Sequence, residues 1–144
     1  MIMQARFMQA IGQTVTTGLA IALGVLMSGC SKPEPVCQNV IKREAISPDG
    51  RLKAVLFERL CGATRGLSSQ ISILPVAASE TGKGNAFIAD TAGGIAPAMA
   101  WGGPDVAMKW TSPEAITFGY AQQARVIVAE PSVMGVVISH EIKD

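Results

Sequence analysis

The side chains of this chain best suited to covalent or acid–base chemistry are three cysteines, Cys30, Cys37 and Cys61, and one histidine, His140. Cys61 opens CGATRG, residues 61–66, in which Gly62 and Gly66 permit left-handed backbone and Arg65 adds a positive charge. Two chemistries fit that loop. Beside a base, Cys61 would be a thiolate nucleophile, and successive backbone N–H groups in the loop would form an anion-binding nest. In an oxidising compartment, Cys61 would instead pair with Cys37 and pin the loop in place.

The N-terminal residues bear on that choice. Arg6 supplies a positive start, LAIALGVLM (19–27) is a short uncharged apolar run, and small residues follow before Cys30. That is the layout of a secretory signal. Ser28-Gly29-Cys30 matches a bacterial lipobox, with Met27 where leucine is usual, so residues 1–29 are expected to be a lipoprotein signal peptide and Cys30 the lipidated residue. The dense apolar run is about half of the roughly 20 residues that a spanning helix needs, which argues against a retained transmembrane anchor. Residues 30–36, with Pro33 and Pro35, then read as the lipidated cysteine and a flexible tether. Ser31, rather than Asp, after the lipidated position favours the outer membrane over the inner. Two or three acyl chains, at about 0.8 kcal/mol per buried CH2, make a lasting anchor.

Beyond the signal, residues 37–144 are long enough for one small domain and not for two. Arg6 is the one charged residue of the first 29, so the remainder is electroneutral. With no basic stripe, the chain lacks the electrostatic footprint of a nucleic-acid binder. Much of the apolar content is alanine and aromatics are 5% of the chain, so the core is expected to be aliphatic and modest. A covalent staple helps such a domain.

Runs rich in Val, Ile and aromatics alternate with turn clusters at 39–46, 51–60, 70–76, 85–90, 106–110, 115–120, 125–130 and 135–142, and no stretch has helical periodicity. The expectation is an all-β single domain, a small antiparallel sandwich or partly open barrel of about seven or eight short strands. Ile116, Phe118 and Tyr120 share one face of their strand, and Val136, Ile138 and His140 oppose Val137, Ser139 and Glu141. RLKAVLFERL (51–60) is apolar on both sides at its middle, as a central strand covered on both faces would be. Ser47-Pro48-Asp49-Gly50 reads as a tight hairpin turn.

Counting outward from that turn brings Cys37 and Cys61 to the same end of the hairpin. Their bridge would close a loop of roughly 25 residues and contribute on the order of 3 kcal/mol. A catalytic thiol would need His140 close to Cys61, which nothing in the spacing indicates. One histidine and scattered carboxylates (Glu58, Asp90, Asp105, Glu130) make neither a metal site nor an acid–base pair, so no enzyme activity, metal or cofactor is expected. Two loops stand out: AASETGKG (77–84), and TAGGIAPAMAWGGPD (91–105), whose Trp101 either caps the core or touches a ligand. The candidate binding loop is therefore Gly62, Thr64, Arg65, Gly66 and Ser68, with Trp101 from the second loop.

SPDGRLKAVLFERLCGATRGLSSQISILP, residues 47–75, together with NAFIAD (85–90), resembles a family of small uncharacterised bacterial exported proteins and lipoproteins that share this pattern. The chain departs from that pattern at Leu60, a position often polar there. The resemblance implies an exported β-rich domain and carries no activity with it. By architecture alone, small lipidated β-barrels with one disulfide include inhibitors of lysozyme, which insert a serine and a basic residue into the enzyme. The expectation is a non-enzymatic, lipid-anchored envelope protein facing the periplasm that binds or supports an envelope protein or cell-wall component. The alternative is an inhibitor of a cell-wall hydrolase.

Overall fold

A computed structural model describes residues 36–62 and 67–144. The expected signal segment (1–29), Cys30 and all of the expected tether but Val36 lie outside the described residues, as do Thr64, Arg65 and Gly66 of the candidate loop. Among the described residues the chain forms nine strands and no helix: β1 (Cys37–Ile46), β2 (Leu52–Cys61), β3 (Ser68–Pro75), β4 (Phe87–Asp90), β5 (Val106–Ser112), β6 (Ala115–Ala121), β7 (Arg125–Ala129), β8 (Ser132–Val133) and β9 (Val136–Lys143). Eight are the strands expected from the sequence; β8, at two residues, is too short to leave a periodic signal.

The strands form two sheets, β1-β2-β3-β4-β7 and β5-β6-β9-β8, packed as a sandwich and not closed into a barrel. Alternation sends Ala54, Leu56, Ile71, Ile73, Phe87 and Ala89 of the first sheet inward, against Val106, Ile116, Phe118, Tyr120, Val136 and Ile138 of the second. Phe87 sits at the centre, its ring 5.8 Å from Phe118 and 4.9 Å from Tyr120. Each Val, Leu, Ile or Phe side chain among them contributes about 1.5–3 kcal/mol on full burial. Side chains, not a ladder, close the seam between β1 and β5: Trp110 Nε1 donates to Ala45 O at 2.9 Å and Arg43 Nη1 to Val106 O at 3.3 Å.

β2 is covered on both faces, as its composition requires. Its outward residues Val55 and Phe57 form, with Leu74, a second buried cluster under Ala78 of the 77–84 loop. Arg59 Nη1 fastens that loop by donating to Gly82 O (2.7 Å) and to Asn39 Oδ1 (2.8 Å), while Asn39 Nδ2 donates to Gly82 O at 2.7 Å. The loop is thus a lid on the core.

The turn between β1 and β2 follows from its residues. Gly50 N–H donates to Ser47 O (2.8 Å) with Gly50 at φ +71°, and Leu52 N–H donates to Ser47 Oγ (3.0 Å). Hydrogen bonds from the Ser47 hydroxyl and the Arg51 guanidinium hold the Asp49 carboxyl down at about 2.

One pairing departs from the antiparallel expectation: β9 runs parallel to β6. After β6 the chain crosses to the first sheet for β7 and returns as β8 at the edge of the second. A two-residue turn then folds β9 back between β8 and β6. That turn is Met134-Gly135, at φ 53° and 80°, the type I′ geometry that favours Asn-Gly. Met134 holds a left-handed conformation costly for its side chain. Met134→Asn is expected to raise stability by about 0.5–1 kcal/mol in urea unfolding, and an unchanged or lower midpoint would contradict this account of the turn.

Candidate functional site

Cys37 and Cys61 are directly opposed in the β1–β2 ladder and joined as a disulfide. Counted from the Ser47–Leu52 end, the β1 arm is one residue longer than the β2 arm. A bulge between Ile41 and Arg43 absorbs the extra residue and aligns the cysteines. The bridge removes Cys61 from nucleophilic chemistry. His140, the only candidate base, sits elsewhere, its ring 5.7 Å from Phe87 and 5.9 Å from Tyr120. Loss of water beside these rings pushes its imidazole below the usual value.

Beyond the disulfide, Gly62 (φ +68°) leads out toward β3, where Ser68 is half-buried. Trp101 comes to the same end of the sandwich. It packs against the core cluster and donates Nε1–H to Ser69 Oγ at 3.0 Å, so it caps the core. Lys42 Nζ lies 5.4 Å from the Trp101 ring centroid and pairs with Glu58 at 2.9 Å, Glu58 being only 8% exposed. Glu58 therefore takes Lys42 as its partner, through the bulge that turns Lys42 toward it.

The 91–105 loop reaches β3 because residue 103 is glycine. A Cβ there would stand 2.6 Å from Ser69 Oγ and 2.7 Å from the Ser69 backbone nitrogen. Between this loop and the ends of β3, β4 and β7 lies a cleft of about 590 Å³, lined among others by Leu67, Ser68, Asp90, Thr91, Gly94 and Arg125. Its charged wall is one ion pair. Arg125 Nε donates to both Asp90 oxygens at 3.1 Å, Nη2 adds a further bond, and these hold the Asp90 carboxyl below its ordinary range. Asp90 Oδ1 also accepts from Ala92 N–H at 2.8 Å, steadying Ala92 at φ 52°, a conformation rare for a residue with a Cβ. Leu67 is 55% exposed on the wall, and the loop carries exposed Ile95 and Met99.

The structure thus brings Ser68 to the cleft and Trp101 beside it as a buttress. The carboxylates weighed from the sequence do not converge: Glu58 pairs with Lys42, Asp90 with Arg125 and Asp105 with Arg43. Among the described residues, no three His, Cys, Asp or Glu side chains come together as a metal-ligand group. The one carboxylate in the cleft lining, Asp90, is held by Arg125 among glycine backbone and apolar side chains. Sequence reasoning missed the Asp90–Arg125 wall, since 35 residues separate the partners. It also missed Asn85, whose side-chain amide accepts from Ile73 N–H (2.9 Å) and donates to Ile73 O (3.0 Å), extending the β3 ladder beyond the start of β4. Compared with models of known protein families, with curated proteins and with solved structures, the chain matches none.

Gly103→Ala should lift the loop from β3. It is expected to cost about 2 kcal/mol or more in urea unfolding and to shift tryptophan emission to the red as Trp101 loses Ser69. An unaltered midpoint and spectrum would show the loop is not seated there. For His140, a folded-state value below the ordinary one means that the unfolded chain binds the proton more readily, so stability falls as pH drops through about 6.5. Melting curves at pH 7.5 and 5.5 should reveal this loss, and His140→Gln should remove it; equal pH sensitivity in the variant would assign it to other groups.

Proposed function

We propose that this chain is a lipid-anchored, non-enzymatic protein of the bacterial cell envelope. Cys30 holds it to the membrane, the outer one by its Ser31, and the β domain faces the periplasm and binds another envelope component at the cleft between the 91–105 loop and β3. The observation that carries this reading is the Cys37–Cys61 bridge across β1 and β2. A structural disulfide suits an exported protein and leaves Cys30, in its MSGC setting, for the lipid. Exposed Leu67 in the cleft lining, together with exposed Ile95 and Met99 elsewhere on the 91–105 loop, favours a protein surface or polymer over a small ion. The alternative, inhibition of a cell-wall hydrolase such as lysozyme, uses the same face through Ser68 and its neighbouring loop.

Cells fed labelled palmitate should mark the parent protein and not Cys30→Ala; an unlabelled parent defeats the anchor. A photo-crosslinking residue at Leu67 should then form an adduct in intact cells that one at Lys109, on β5, does not. Equal labelling at both positions would reject the cleft as the binding face. Lysozyme inhibition by micromolar purified protein would move the assignment to the inhibitor class.

A further inference from the structure

The second sheet is covered along one edge for only part of its length. β8 pairs with β9 at Val136 and Val137, and Pro131 O accepts from Ile138 N–H at 2.9 Å, after which β9 continues alone on that side. Its hydrogen-bonding directions follow from contacts at both ends. Val137 N–H and Lys143 O both bond on the β6 side, to Glu114 O and Gln122 N–H, whereas Ile138 N–H points the other way. By alternation, the backbone N–H and C=O groups of His140 and Ile142 face outward from the sheet edge. Residues 139–143 are all exposed, and Ile142 is 53% exposed. An unpaired edge of this kind is a template for another strand.

We infer that this edge pairs with β9 of a second copy of the same chain, antiparallel about a two-fold axis through Ile142. The inference is independent of the anchor and the cleft. Charge complementarity selects the occupant and the register. With Ile142 opposite the partner's Ile142, Glu141 stands opposite the partner's Lys143 and Lys143 opposite the partner's Glu141, while His140 meets the partner's Asp144. Among the described residues, neither Glu141 nor Lys143 forms an ion pair within its own chain. Neighbouring registers fail. Centring on Glu141 opposes two glutamates and sets Asp144 against Ile138, whose N–H is already held by Pro131. Centring on Lys143 opposes two lysines. In the chosen register the partner's β9, which spans Val136–Lys143, pairs from Glu141 onward and stays clear of the residues that β8 covers, so the two coverings of the β9 edge do not overlap. The result is one continuous sheet across two molecules, with an isologous interface.

The contact is narrow, so a reversible dimer is expected, with a Kd on the order of 10 µM. The full chain, purified in dodecyl maltoside, should show this by sedimentation. Glu141→Lys should weaken the dimer by about tenfold, and adding Lys143→Glu should restore it. Ile142→Cys should cross-link into a dimer under mild oxidation, because directly opposed residues in such a pair lie about 5.5 Å apart at Cα. Ser139→Cys, carried far from its own copy, should not. A melting curve of each variant matching the parent's shows that the domain is folded. A monomer at every concentration, cross-linking of Ser139→Cys as readily as Ile142→Cys, or no rescue by the second charge reversal would each overturn the proposal; a monomer leaves the edge to some other occupant.

Discussion

Everything in the first sheet is arranged around the need to keep water from both faces of β2. Leu56 and Ala54 on one side, and Val55 and Phe57 on the other, are fully buried. A two-layer sandwich satisfies only the inner side. The outer side is supplied by folding the 77–84 loop back over β2, and most of the polar contacts near it hold that loop down. Arg59 and Asn39 grip its carbonyls, Glu80 Oε1 accepts from Asn39 Nδ2 at 3.2 Å, and Gln70 Oε1 accepts from Gly84 N–H at 2.9 Å. A loop that looks polar and unconstrained in sequence is a third layer.

The same economy limits chemistry. Buried polar groups are costly unless partnered, so a small domain tends to commit them to one another. Glu58 and Asp90 are each engaged by a cation, and no buried side-chain nitrogen or oxygen among the described residues lacks a hydrogen-bond partner. Along the 91–105 loop the exposed groups include glycine backbone and the aliphatic side chains of Ile95 and Met99. The loop is held by the seating of Gly103 on β3 and by the hydrogen bond from Trp101 to Ser69.

How much of this was legible in the sequence depends on the range of the interaction. Turn chemistry and alternation act over a few residues, so eight strands, the Ser47–Gly50 turn, the buried face of Ile116, Phe118 and Tyr120, and the two-sided burial of β2 could all be read. The cysteine pairing was legible because one hairpin spans it. The parallel β6–β9 pair was not, because alternation assigns faces and says nothing about which sheet a strand enters after a crossover. Asn85 reads as a turn residue, since nothing local reveals that its amide will stand in for a strand backbone beside Ile73. The Glu58 partner was similarly hidden: it is set by an irregularity in β1, not by proximity in the chain.

That irregularity ties the candidate face to the hairpin. Without the bulge, the ladder at Ile46–Lys53 would continue unbroken and set Cys61 opposite Gln38, leaving the cysteines out of register. With it, the cysteines meet, and Lys42, the residue passed over in the ladder, is turned to Glu58 and lies near the Trp101 ring. Trp101 in turn meets Ser69, which also donates to Pro104 O. One residue more in β1 than β2 needs thus sets both the covalent staple and the support beneath the 91–105 loop. A deletion that restored equal arms would remove both together, whereas substitution of either cysteine would leave the Lys42–Glu58–Trp101 contact its geometric basis.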